Sequence, residues 1–76
     1  MDQSIIDNIK NRLQYAKSKH PEGASMLALL DEVSEARYAQ KNQDRSSYTS
    51  ELLDVIVVAI RLIQKERENG AISRSR

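Results

Sequence analysis

Apolar residues recur at helical spacing in three stretches of this chain, separated by two short polar breaks. In the first, Ile5, Ile6, Ile9, Leu13 and Ala16 predict a helix over residues 4–18, with Ser4 and Asp7 spaced as a capping box. The run KHPEGAS ends it: Pro21 disfavours helix at His20, Gly23 loosens the chain, and Ser25 is the expected N-cap of the second helix. That helix is predicted over residues 26–40, closed by the polar run KNQDRSS. The third is predicted from about Ser47 to about Glu68, with Asn69 and Gly70 as its stop. Its many Val and Ile residues suit a strand by propensity, but a stretch of about twenty residues with charged, helix-favouring ends is a helix length. The last residues, AISRSR, have no periodic apolar face and are expected to be loose. This gives one helical domain over residues 1–68 and a C-terminal tail over residues 69–76.

On a wheel of about 100° per residue, Met26, Leu29, Leu30, Val33 and Ala36 share one broad apolar arc of the second helix. Glu32 and Glu35 border that arc, interleaved with Ala28 and Ala39, which are small enough to let another helix approach. Residues 52–63 are apolar nearly all the way round, so the third helix is expected to be buried, yet it carries Glu51 and Asp54. Burying a carboxylate without a partner costs on the order of several kcal/mol. Glu32 with Glu35 and Glu51 with Asp54 have the same three-residue spacing. Two acidic pairs on neighbouring helices can therefore converge.

Like charges brought together in this way are stable only when protonated or bridged by a cation. Four carboxylate ligands with no His or Cys suit Mg²⁺ or Mn²⁺ better than zinc. Arg61 and Lys65 fall on the same side of the third helix as Asp54, where they could meet phosphates. Blander readings stand beside these. Acidic pairs are common on solvated helices, Glu51 and Asp54 near the start of the third helix favour its dipole, Arg61 suits a salt bridge, and His20 suits a loop.

DEVSE (residues 31–35) followed by ELLD (residues 51–54) resembles the two-part signature of the MazG-type all-α nucleoside triphosphate pyrophosphohydrolases. That signature is a Glu-Glu-x-x-Glu element followed, on the next helix, by Glu-x-x-Asp. The similarity spans roughly residues 20–65, with Asp31 where the family has its first Glu. The resemblance implies Mg²⁺ held by Glu32, Glu35, Glu51 and Asp54. It also implies hydrolysis of (deoxy)nucleoside triphosphates to monophosphate and pyrophosphate, in nucleotide-pool clearance. With no Trp or Phe in the chain, stacking on a base would fall to Tyr15, Tyr38 or Tyr48.

A chain of 76 residues without cysteine has neither disulfides nor a Cys/His zinc site to hold a small core. The expected fold is therefore all-α, a three-helix subunit that forms a helical bundle by oligomerisation, as a homodimer or homotetramer centred on the third helix. A formal net charge of +1, with scattered basic residues, argues against a nucleic-acid partner. Residues 52–63 are too short for a membrane span and are interrupted by Asp54 and Arg61, and MDQSIIDNIK lacks the pattern of a signal peptide. A cytoplasmic protein is the expectation. The alternative to an enzyme is a non-catalytic oligomeric helical module that binds a nucleotide or a partner.

Overall fold

In a computed structural model the chain is all-α, with no strand among the described residues, which are 2–74 for the backbone and 2–70 for the side chains. Helix α1 spans Gln3–Lys19, α2 spans Met26–Lys41 and α3 spans Arg45–Arg74. Polar residues fix where each begins. Asp2 caps α1, its carboxylate accepting from the Ser4 N–H at 2.8 Å and the Ser4 hydroxyl at 2.9 Å. Ser4 thus lies inside the helix, and Asp7 is engaged by the Gln3 amide at 3.0 Å, so the expected capping box does not form. Gly23, at φ +98°, turns the chain toward α2, where the Ser25 hydroxyl accepts from the Ala28 N–H at 3.2 Å as expected. Between α2 and α3, Gln43 takes a left-handed conformation at φ +56°. Asp44 then accepts from the Ser47 N–H at 3.1 Å, a bond that also holds its carboxyl below the usual range, and α3 starts earlier than Ser47.

The far end of α3 departs from expectation. The helix runs through Asn69 and Gly70 to Arg74. A glycine stops a helix by adopting the left-handed conformation just past its end, and among the described glycines only Gly23 has a positive φ. Gly70 stays helical at a cost of about 1 kcal/mol relative to Ala. The looseness expected of residues 71–76 concerns side chains, and two terminal residues, that lie outside the described residues.

Helix α3 packs against both α1 and α2, while α1 and α2 do not pack on each other. The buried core consists of Ala36, Ala39 and Val57. Toward α3, α2 turns Ala28, Leu29, Glu32, Ala36 and Ala39, and the small alanines let the two backbones come close. Met26, Leu30 and Val33, expected in the core, are instead 61%, 57% and 46% exposed. The apolar arc of α2 is wider than one neighbouring helix can cover, and α1 lies elsewhere. On α3, Leu52, Ile56 and Ile63 are likewise exposed and, with Ala59, are spaced four, three and four residues apart. That is the spacing of a coiled-coil seam. No helix among the described residues is long and apolar enough to cross a membrane.

Candidate metal centre

The close approach of α2 and α3 sets Glu32 and Glu35 against Glu51. One carboxylate oxygen from each of the three lies within 4.8 Å of the others. The Oε2 atoms of Glu32 and Glu51 are shut off from solvent and have no hydrogen-bond partner. A buried polar atom left unmet costs about 1–3 kcal/mol, and more when charged. The repeated spacing in the sequence pairs these residues, and the fold brings them within reach of a common ion.

The electrostatics record the same conflict. Burial, and then the charge of Glu35, push the Glu32 carboxyl from its ordinary 4.5 up to about 7. Glu51 is also raised, chiefly by burial and then through its hydrogen bond to Glu35. A carboxyl that keeps its proton near neutrality can donate to its neighbour, which is how three such groups coexist without a cation. The donor set is all oxygen, with two orphaned atoms facing inward, and it fits a hard divalent ion such as Mg²⁺ or Mn²⁺.

Asp54 stands apart from that trio. Its charge is felt by Glu32 and Glu51, but its Oδ1 is bound to Arg12 of α1 at 2.8 Å. The same guanidinium donates to the Ser50 hydroxyl at 2.9 Å and to the Ser50 carbonyl at 3.4 Å. No motif in the sequence singles out Arg12. The signal that could have found it is a cation at the margin of α1's apolar stripe, between Ile9 and Ala16.

Two cavities flank the carboxylates. One, of about 480 Å³, lies between the end of α2 and the start of α3 and is lined by Glu35, Tyr38, Asp44 and Glu51. The other, of about 910 Å³, is an open cleft between α1 and α3, edged by Arg12, Tyr15, Glu32, Asp54, Arg61 and Lys65. Arg61 and Lys65 thus share a cleft with Asp54, as their spacing implied. Arg61 donates to the His20 carbonyl, while Lys65 is exposed. His20 is an exposed loop residue 3.5 Å from Glu22. Tyr15 and Tyr38 are exposed at 64% and 71%.

Comparison with models of protein families, with curated proteins and with solved structures finds no match to this chain.

Proposed function

We propose that the chain is a Mg²⁺-dependent nucleoside triphosphate pyrophosphohydrolase of the MazG-like all-α class. The observation that carries this reading is the meeting of Glu32, Glu35 and Glu51, two of them with an oxygen shut off from solvent and without a hydrogen-bond partner, beside a cleft edged by basic residues. Glu32, Glu35 and Glu51 would hold the ion, with Asp54 adjacent. When bound, it supplies neutralising charge for the triphosphate oxygens and acidifies a water molecule. Arg61 and Lys65, one turn apart on α3, screen phosphate oxygens in the cleft, whose volume lies in the range of small-molecule sites. Tyr15 offers a ring face at the cleft's edge.

The working unit of this reading is a homodimer or homotetramer. Exposed Leu52, Ile56 and Ile63 on α3, and Met26, Leu30 and Val33 on α2, form the apolar surface that further copies would cover. Sedimentation at micromolar concentration is expected to show an oligomer, and Ile56→Glu to shift it toward monomer. A compact, stable wild-type monomer would refute this assembly.

One observation favours a second reading, a non-catalytic helical module that oligomerises and binds a nucleotide or partner. Asp54 is already neutralised by Arg12, as a vestigial site would have it. Pyrophosphate release from a panel of ribo- and deoxynucleoside triphosphates with Mg²⁺ or Mn²⁺ separates the two. The enzyme reading expects metal-dependent release that Glu35→Gln and Asp54→Asn abolish while the assembly persists. No release from any nucleotide by an intact oligomer selects the module.

A further inference from the structure

The cleft between α1 and α3 is lined by both basic and acidic side chains. Arg12, Arg61 and Lys65 stand against Glu22, Glu32 and Asp54. Two of the three basic groups are engaged within the chain, Arg12 by Asp54 and Arg61 by the His20 carbonyl. The Arg12 guanidinium is held by Asp54 Oδ1 at 2.8 Å and by Ser50, at 2.9 Å to the hydroxyl and 3.4 Å to the carbonyl. Among the described residues, every partner of Arg12 therefore sits on α3 at the rim of the carboxylate group, and its counter-charge is Asp54. A divalent cation on the acidic residues bears on both the cleft and Arg12. It adds positive charge beside the cleft, and it competes with Arg12 for Asp54. The guanidinium then keeps its ties to Ser50 and turns its remaining donors to the cleft, where Arg61 and Lys65 already stand.

The geometry points to Arg12 as the residue that couples the two ligands of this site: it occupies Asp54 until a divalent cation arrives, and then binds the phosphate chain of the nucleotide. This rests on the metal-centre reading above, and adds to it an order of binding in which the cation comes first and the anion second. The ion pair is half-exposed on both sides, at 32% and 38%, so the exchange faces only a modest barrier from the pair itself.

The test uses the full chain, with Mn²⁺ and inorganic pyrophosphate as probes in calorimetric titrations. Arg12→Gln is expected to bind Mn²⁺ about fivefold more tightly than the natural protein, because a competing cation is gone. It is also expected to bind pyrophosphate in excess Mg²⁺ about fivefold more weakly. Asp54→Asn, which frees Arg12 without any metal, is expected to bind pyrophosphate in the presence of chelator more tightly than the natural protein. Arg12→Gln added to Asp54→Asn should remove that gain. A gain of affinity cannot arise from unfolding, so this arm stands even if a variant is less stable. Mn²⁺ binding that Arg12→Gln leaves unchanged or weakens overturns the coupling alone. The absence of any gain in Asp54→Asn does the same. If the natural protein binds no Mn²⁺, the metal centre itself is refuted and the coupling goes with it.

Discussion

Glu51 and Asp54 lie less than one turn apart on α3, both half-buried, and the fold treats them in opposite ways. Asp54 receives an arginine from α1, 42 residues away in sequence, with Ser50 holding the guanidinium in place. Glu51 receives two further carboxylates from α2, an oxygen with no partner, and a carboxyl raised by its burial. Compensation is built into the chain for the first acid and left out for the second. An uncompensated acidic group persists in a small, weakly cored domain at a cost to its stability. On the function proposed above, an ion from solution would offset that cost.

The contrast can be broken most sharply by neutralising each acid in turn. Glu51→Gln is expected to lower Mn²⁺ affinity by at least about tenfold to a hundredfold, the range that even supporting residues of metal sites produce, as read by calorimetry. In metal-free protein the same change should raise the denaturation midpoint, since it removes a crowded like charge. Ala36→Leu attacks the close approach that creates the cluster. Overpacking there should cost about 1–3 kcal/mol in urea denaturation and weaken Mn²⁺ binding by moving Glu32 away from Glu51. Asp54→Asn should act on metal-free stability in the direction opposite to Glu51→Gln. Loss of a half-exposed pair is worth about 0.5–1 kcal/mol and leaves Arg12 without its counter-charge. Equal signs for the two neutralisations would erase the comparison.

A pH series sharpens it further. Glu32 holds its proton up to about 7 in the folded chain against an ordinary 4.5, with burial the main cause. Between those values the folded state binds more protons than the unfolded state. The contribution to stability is therefore complete below about 4.5 and is lost as pH rises to about 7. Denaturation midpoints of the metal-free protein across this window should show that decline, and Glu32→Gln should flatten it. Mn²⁺ affinity should run the other way, rising with pH as the ion displaces the proton. A midpoint profile unchanged by Glu32→Gln would remove Glu32 from the conflict.

The three helices were readable because apolar periodicity and polar breaks are local signals. Their ends were less so. Asp2 and Ser4 are both good caps two residues apart, and only the backbone decides which carbonyl opens the ladder. Asn69–Gly70 looks like a stop, but glycine stops a helix through a conformation that sequence does not encode. The acidic pairs were readable from their repeated spacing. Which three of the four meet was not, because it depends on α2 turning Glu32 and its alanines to α3 and leaving Met26, Leu30 and Val33 outside. The width of that apolar arc is plain in the sequence; one chain has too few helices to cover it. Arg12 escaped for a related reason, since a pairing across 42 residues leaves no local pattern beyond a charge at the edge of an apolar stripe.

Both shorter helices lean on α3 and neither on the other. The molecule is therefore a spine with two separate leaves. The leaf formed by α2 is joined to the spine by the buried alanines, whereas α1 contributes no buried residue and is connected through a loop that turns at Gly23. Peeling α1 away uncovers the half-buried Ile6, Ile9 and Leu13, whereas the carboxylate trio is set by α2 and α3 alone. Local opening in this fold is thus uneven. The leaf that carries Arg12 is the less firmly anchored of the two, and the acidic centre depends on the other.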